Sequence, residues 1–154
     1  MRYWLMKSEP EAYGIDDLAR DKVTAWWGVR NYQARNFMRD QMQLGDRGLF
    51  YHSNCAEPGI VGIVEVVKRA YPDATQFDRK HKYFDPKSSP DNPRWLNVDV
   101  KFVKKTPLVS LAELRSHKTL ANMRTLAKGN RLSITPVDPA EWKFITERLM
   151  GDKA

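Results

Sequence analysis

The sequence is poor in cysteine and contains no long apolar run. Its single cysteine, Cys55, excludes an internal disulfide bond and fits a reducing compartment. No stretch approaches the roughly 18 consecutive apolar residues that a membrane span needs, and the N-terminal residues do not have the layout of a signal peptide. We therefore expect a cytoplasmic protein, or a nuclear one if the cell has a nucleus, with no membrane partner.

Motifs for metal, cofactor and catalytic sites are also missing. His52 and Cys55 have a spacing seen in metal sites, but no second pair completes a ligand set. Residues 59–64 read GIVGIV, which is not the glycine spacing of a phosphate or dinucleotide loop. His52 and Ser53 are neighbours in a predicted strand, so their side chains face opposite ways and cannot form a catalytic dyad unless residues 51–54 are irregular. We therefore predict no metal, no cofactor and no enzymatic activity.

Positive charge is in excess. The 26 lysine and arginine residues outnumber the 19 acidic ones, which leaves a net charge of +7. This balance favours a polyanionic partner, because cations placed near phosphates release condensed counterions. On its own the signal is modest, since many basic proteins bind no nucleic acid. The basic residues recur in small groups that would form a track if they converged in space: Lys68 and Arg69, residues 79–82, Lys104 and Lys105, and Arg124, Lys128 and Arg131.

Hydrophobic patterning predicts one α+β domain over residues 1–154, with a small, strongly curved sheet or barrel flanked by helices. The β-branched, aromatic and alternating segments predict strands at residues 2–6, 23–26, 48–53, 59–67 and 95–104. Capping residues and apolar spacing predict helices at 15–20, from Asn31 to about Gln41, after Ser110, across 120–127 with a stop at Gly129, and after Asp138. The polar segment 72–93 is predicted to be a long loop.

The stretch WWGVRNYQARN, residues 26–36, combines aromatic side chains with a cation at a predicted helix start. Arg30 and the free amides near Asn31 favour an anion such as a phosphate. A tryptophan face can stack on a nucleobase, which is worth about 1–3 kcal/mol. The alternative is that Trp26 and Trp27 both belong to the core. Consecutive strand residues face opposite ways, so at most one of the two joins the core directly, and both interpretations stay open at this point.

Six ordered motifs resemble the EVE domain family and together cover nearly the whole chain. They are YWLMKSEPE at 3–11, WWGVRNYQARNFMR at 26–39, FYHSNCAEPGIVG at 50–62, AYPD at 70–73, DNPRWLNVDVKF at 91–102 and RLSITPV at 131–137. The chain begins almost at its first strand, so it is most similar to the stand-alone bacterial form. The resemblance implies a PUA-like fold, which is a curved mixed β-barrel with peripheral helices. It also implies a non-enzymatic reader that takes a modified, typically methylated, flipped base of DNA or RNA into an aromatic pocket.

The residues that the resemblance assigns to base binding are Lys7, Ser8, Glu9, Trp26, Val29, Arg30, Asn31, Tyr51, His52, Ser53, Trp95 and Ser133. Trp26 would supply the stacking wall. The implied hydrogen-bonding partners of the base edge are Ser8, Asn31 and Ser53. The expected phosphate contacts are Lys7, Arg30 and Arg35. Trp27 departs from the family pattern, which has a small or acidic residue at this position, so the choice of base is open.

Two other functions remain as alternatives. The first is a small-molecule sensor whose pocket binds a free nucleoside or an anionic metabolite. The second is an enzyme that modifies nucleic acid, with Lys7, Glu9 or His52 as acid or base. For a base reader, we expect single-stranded or distorted nucleic acid to bind best, because extruding a base from a duplex costs a few kcal/mol.

Overall fold

A six-stranded mixed sheet forms the centre of the computed structural model, which describes residues 1–150. The strands are β1 (Tyr3–Ser8), β2 (Val23–Ala25), β3 (Arg47–His52), β4 (Gly59–Pro72), β5 (Leu96–Ser110) and β6 (Ile134–Val137). Their spatial order is β2-β5-β4-β3-β1-β6. Only β1 and β3 pair in parallel, and the other four pairings are antiparallel. The α+β class is therefore as predicted. The described strands form an open sheet with β2 and β6 at its edges, so the closed barrel stays a prediction.

Four short helices lie against this sheet. They are α1 (Ile15–Asp21), α2 (Tyr32–Asn36), which continues as a π-helix over Phe37–Gln41, α3 (Leu111–Arg115), and α4 (Pro139–Phe144), which continues as a π-helix over Ile145–Leu149. Single 3₁₀ turns occur at Ala74–Phe77, Lys118–Leu120 and Arg124–Leu126. Within the described part of the chain, no helix is long and apolar enough to cross a membrane.

The capping residues named from the sequence do cap helices. The side chain of Asn31 accepts a hydrogen bond from the Ala34 amide at 3.1 Å, so α2 begins where predicted. Asp138 and the glutamate three residues further on form the capping box of α4. The helix predicted across residues 120–127 is wrong, because two 3₁₀ turns separated by a short turn and the extended residue Met123 occupy this segment. The three-residue spacing of Leu120 and Met123 fits a 3₁₀ turn as well as an α-helix.

The sheet is buried on both faces. Along β3, Leu49 and Tyr51 belong to one hydrophobic cluster and Phe50 to the other, which confirms the predicted alternation. Strand β4 contributes apolar side chains to both clusters and lies between β3 and β5, as the apolar residues on both faces of segment 59–67 predicted. The register of β4 against β5 shifts at four places. Such bulges bend and twist strands.

The connecting segment, residues 73–95, lacks helices longer than one turn but is internally well bonded. Gln76 is completely buried, and its side chain makes four hydrogen bonds. Its amide group donates to the carbonyls of Asp73 and Trp95, and its side-chain oxygen accepts from the Ser88 hydroxyl and the Trp95 amide. The predicted long loop is therefore an ordered segment held by its own hydrogen bonds. Its first half packs against the stretch that carries Trp26 and Trp27.

Candidate functional site

A cavity of about 390 Å³ opens where the ends of β1, β2 and β3 meet the connecting segment. The parallel pairing of β1 with β3 brings the two strand ends together, since the Ser8 carbonyl accepts from the Ser53 amide at 3.0 Å. Eight of the twelve residues expected to bind a base line this cavity: Lys7, Ser8, Glu9, Trp26, Val29, Arg30, Ser53 and Ser133. The sequence motifs therefore converge on one place in the fold.

Trp26 forms part of the cavity wall. It follows β2, and its backbone amide donates to the Val98 carbonyl at 2.7 Å. Its ring packs edge-on against Phe50, with centroids 5.4 Å apart and planes at 85°. The residue is 7% exposed, and its indole N–H has no hydrogen-bond partner among residues 1–150. Trp26 is thus largely buried in the core, and its small remaining exposed surface borders the cavity.

Serine hydroxyls supply the polar part of the wall. The Ser8 hydroxyl donates to the Tyr13 carbonyl at 2.6 Å, so its oxygen can still accept. The hydroxyls of Ser53 and Ser133 have no hydrogen-bond partner in the described part of the protein. Each can donate and accept. Ser133 is held at the cavity because its carbonyl accepts from the Lys7 amide at 2.8 Å. These groups can match the polar edge of a ligand.

Arg30 borders the cavity, but its guanidinium is occupied by the protein itself. It donates five hydrogen bonds, two of them to the Tyr83 carbonyl at 2.7 and 3.1 Å. A third goes to Asp73 at 3.2 Å, in an ion pair whose arginine side chain is 20% exposed and whose carboxylate is fully buried. The arrangement fastens the connecting segment to the turn after Trp27. The expected phosphate contact by Arg30 stays a prediction.

Asp73 links the connecting segment to the turn after Trp27. Its carboxylate accepts four hydrogen bonds, from the Gly28 amide, from Arg30, and from the amide and hydroxyl of Thr75. Burial on its own would raise the pKa of Asp73. The hydrogen bonds from Thr75, Gly28 and Arg30 outweigh that effect and lower the pKa below its ordinary value. Asp73 is therefore ionised and serves as the anchor of the cavity's outer wall.

Gly28 allows the connecting segment to pack closely against the turn after Trp27 and so form the outer wall of the cavity. Its φ is +84°, and a Cβ atom added at this position would lie 2.7 Å from the ring of Tyr83. Glycine satisfies both requirements, since it tolerates positive φ and has no side chain. Tyr83 can then pack against Trp27, with centroids 5.8 Å apart. Both rings line the cavity opposite the serines of the strand ends.

Cations surround the opening. The Lys82 ammonium lies 4.9 Å from the centroid of the Tyr83 ring, and Arg131 comes from the segment before β6. Lys7 is partly buried, and burial lowers its pKa. Glu9 is the acidic residue of the lining, and it accepts a hydrogen bond from Asn54 at 3.3 Å. Lys82 and Arg131 are exposed, so these two are the cations best placed for an anionic group outside the cavity.

Three of the predicted site residues on the helix start and on β3 do not line the cavity. Asn31 uses its side chain to cap α2. Tyr51 packs into the hydrophobic cluster on the opposite face of the sheet. His52 accepts a hydrogen bond from the Ile15 amide at 3.1 Å, and burial lowers its pKa, which favours the neutral imidazole. Among residues 1–150, no group of three histidine, cysteine or acidic side chains could hold a metal ion.

Trp95 and Arg35 lie beside Tyr32 rather than at the cavity, and Trp95 is buried. The Trp95 ring stacks on Tyr32 at 4.7 Å, and its N–H donates to Asp85 at 2.7 Å. Arg35 donates to the Arg94 carbonyl at 2.9 Å and lies 4.6 Å from the Tyr32 ring. Their proposed contacts with base and phosphate are not part of this cavity.

Sequence reasoning assigned no site role to Tyr83, Lys82, Arg131 or Asp73. Lys82 and Arg131 belonged to the basic groups that were expected to form a track only if they converged in space. Asp73 closes the motif AYPD, and Tyr83 stands in the basic run RKHKY at residues 79–83. An aromatic residue inside a basic run of a long polar loop was the available signal for this wall.

The chain belongs to the EVE domain family, whose sequence profile matches residues 2–148. Among known proteins it is similar to thymocyte nuclear protein 1 from Homo sapiens, with 47% identity over 163 residues that cover 93% of this chain and 72% of the human protein. The relative from Gallus gallus is 46% identical over 93% of this chain and 66% of its own length. The chain thus spans about two thirds to three quarters of these relatives.

Solved structures show the same fold. The human THYN1 protein in complex with DNA containing 5-methylcytosine has a TM-score of 0.92 and 45% identity, and all of both chains is covered. A hypothetical protein from Leishmania major has a TM-score of 0.92 and 47% identity, over 96% of this chain and 93% of its own. A protein from Pseudomonas syringae has a TM-score of 0.91 and 44% identity, over 94% and 97% of the two chains.

Proposed function

We propose that this protein is a non-enzymatic reader of modified bases in DNA, which takes one extruded base into the cavity beside Trp26. The observation that carries the proposal is a tryptophan-walled cavity whose Ser53 and Ser133 hydroxyls have no partner within the described residues. The human relative at 45% identity was solved with DNA containing 5-methylcytosine, which supports this ligand class. We therefore take 5-methylcytosine as the first base to test.

The size of the cavity suits a single nucleoside. Its volume of about 390 Å³ lies near the lower end of small-molecule sites, which span about 300–1,000 Å³. Stacking on Trp26 would contribute about 1–3 kcal/mol. The hydroxyls of Ser8, Ser53 and Ser133 would then select the base by its polar edge. A base without the matching groups is rejected, because the buried partners are left unpaired.

The cations around the opening would hold the phosphates on either side of the extruded base. Lys82 and Arg131 are exposed beside the cavity, and Lys7 lies at its wall. Each cation placed on a phosphate releases counterions, so binding should weaken as salt rises. The net charge of +7 acts in the same direction.

Two finer expectations belong to the same proposal. The sheet would have the PUA-like barrel arrangement, which the long bulged strands β4 and β5 support by bending the sheet. The protein would act where its nucleic acid lies, in the cytoplasm or in a nucleus. The vertebrate relatives are nuclear proteins by name.

Fluorescence anisotropy with matched oligonucleotides tests the proposal. The probes are DNA strands that carry either cytosine or 5-methylcytosine at one position, each as single strand and as duplex, and the same sequence as RNA. We expect tighter binding to the methylated DNA, and tighter binding to the single strand than to the duplex, because extrusion costs a few kcal/mol. Equal affinity for cytosine and 5-methylcytosine, or no binding, overturns the selective reader. Preference for the RNA probe would overturn DNA as the partner.

A nucleoside sensor is the second candidate, because the cavity is large enough for a free nucleoside. Thermal-shift assays that compare 5-methyl-2′-deoxycytidine with the methylated oligonucleotide separate the two functions. Stabilisation by the nucleoside that survives neutralisation of Lys82 and Arg131 would favour the sensor. The enzyme alternative has less support, since His52 is engaged by a backbone amide and does not line the cavity. Recovery of intact oligonucleotide after long incubation is the expected result.

A further inference from the structure

Trp27 is exposed, although large aromatic side chains are usually buried. It is 38% exposed, against 7% for its neighbour Trp26, and it is the most exposed of the five tryptophans. Both residues line the same cavity. Trp26 therefore contributes to the wall from the core side, while Trp27 presents ring surface to solvent at the rim.

The surroundings of Trp27 hold its ring in place. It packs edge-on against His81, with centroids 5.7 Å apart and planes at 88°, and against Tyr83 at 5.8 Å and 62°. His81 and Tyr83 stack on each other at 5.6 Å. We call Trp27, His81 and Tyr83 the rim platform. Arg30 fixes this platform by its two hydrogen bonds to the Tyr83 carbonyl, so that its surface is formed before any ligand arrives.

Positive charge accompanies the rim platform. The Lys82 ammonium lies 4.9 Å from the Tyr83 ring centroid, and Lys82 is exposed beside the cavity. Exposed aromatic rings beside cations are how proteins bind single-stranded nucleic acid, since bases stack on the rings and the cations follow the backbone. The exposed surface here is one indole among polar and charged groups, whereas a protein-binding patch is a contiguous apolar area of several hundred Å².

We propose that the rim platform stacks the base next to the one in the cavity, with Trp27 as the contacting ring. This inference rests on the proposed function of the cavity. Extruding a base removes the stacking partner of its neighbour. Trp27 borders the opening through which that base would enter, so its ring would replace the lost partner. The platform would thereby stabilise the extruded state and make affinity depend on the nucleotide beside the modified one.

Abasic probes separate this contact from the pocket itself. We measure binding of single-stranded DNA with a central 5-methylcytosine, and of the same strand with abasic residues on both sides of it. Relative to the wild type, we expect the variant Trp27→Ala to bind the intact strand about 5- to 150-fold more weakly, which is the range for one stacked base. On the doubly abasic strand, the loss should be below about twofold, because no neighbouring base remains to be stacked.

Three further variants make the result specific. Trp27→Phe keeps a ring and should retain most of the affinity, whereas Trp27→Leu keeps an apolar side chain without a ring and should behave like Trp27→Ala. Leu108→Ala is the matched control, since Leu108 is also 38% exposed but lies away from the cavity. It should leave binding unchanged. Thermal unfolding of each variant shows which of them are folded for the comparison.

The outcomes distinguish the two proposals. Equal losses on the intact and doubly abasic strands, or no loss with any Trp27 variant, overturn the stacking role, while a wild-type preference for 5-methylcytosine over cytosine upholds the reader. Failure of the wild type to bind any methylated strand overturns both. Loss confined to strands that have a neighbouring base supports the rim platform.

Discussion

Replacing the buried carboxylate that anchors the cavity's outer wall tests whether this wall is held as the structure indicates. In the variant Asp73→Asn the side chain keeps its shape, loses its charge, and exchanges one acceptor oxygen for an NH2 group. The two carboxylate oxygens each accept two hydrogen bonds. The exchange therefore places a donor against two of the four donors that now surround the carboxylate.

The cost follows from the less damaging of the two amide orientations. If the NH2 group replaces the oxygen near Thr75, the Thr75 hydroxyl can rotate and accept, and only the Thr75 amide loses its partner. An unsatisfied buried N–H costs about 1–3 kcal/mol. The loss of the ionic partner of Arg30, a side chain that is 20% exposed, adds to this. We expect the free energy of unfolding to fall by about 2–4 kcal/mol.

The loss should also depend on pH in one direction. The pKa of Asp73 is lowered in the folded state, below the ordinary value of 3.8. A group with a lowered folded pKa contributes its full stability above the unfolded pKa, and loses it as the pH falls through the folded pKa. The variant has no titrating group at this position. The difference between wild type and variant should therefore be constant near neutral pH and shrink below about pH 4 by the part that comes from the charge of Asp73, while the part that comes from the unpaired Thr75 amide remains.

Urea denaturation followed by tryptophan fluorescence measures this difference across a series from neutral pH to about pH 3. The matched control is Asp91→Asn, an exposed carboxylate of the same segment, which should change stability by less than about 0.5 kcal/mol. A difference below about 1 kcal/mol at neutral pH would show that the anchor contributes little. A large difference that does not shrink in acid would show that the charge of Asp73 is not its source.

Three further outcomes follow from the same geometry. Gly28→Ala should lower the free energy of unfolding by about 1–3 kcal/mol, and by more than Gly45→Ala in urea denaturation, because both glycines have positive φ but only Gly28 has the Tyr83 ring in the way. Trp26→Ala should weaken binding to methylated DNA by about 5- to 150-fold in fluorescence anisotropy, whereas equal affinities would exclude stacking on this ring. Lys82→Gln should lower the slope of log affinity against log salt by about 0.7–0.9, and an unchanged slope would show that this lysine contacts no phosphate.

Much of the fold follows from local patterns in the sequence. The alternation of β3 assigned Leu49 and Phe50 to opposite faces, and the capping residues Asn31 and Asp138 marked two helix starts. Each of these signals depends on residues within one turn or one strand. The segment after Ser116 was harder to predict, because apolar residues three apart satisfy a 3₁₀ turn and an α-helix alike.

The candidate site was predictable where its residues are contiguous in the motifs. The strand ends that carry Ser8 and Ser53 line the cavity because β1 and β3 pair in parallel. The outer wall was not predictable. Its position depends on the contact of Arg30 with Asp73, which lies 43 residues further along the chain, and no periodicity connects the two. A cation before a helix start looks the same in sequence whether it faces a phosphate or a buried carboxylate.

The pairing of Arg30 with Asp73 bears on what the cavity can bind. It neutralises one cation of the lining, and Glu9 adds a carboxylate, so an anionic small molecule would meet little net attraction inside. A nucleobase is uncharged, and the phosphates of its strand would stay outside the cavity, where Lys82 and Arg131 are exposed. We therefore expect a methylated oligonucleotide to bind more tightly than the free nucleoside at low salt. Isothermal titration at rising salt should show the two affinities converge, because the contribution of the rim cations is screened while stacking on Trp26 is not. A nucleoside that binds as tightly as the oligonucleotide at low salt would contradict this division between a neutral cavity and a charged rim.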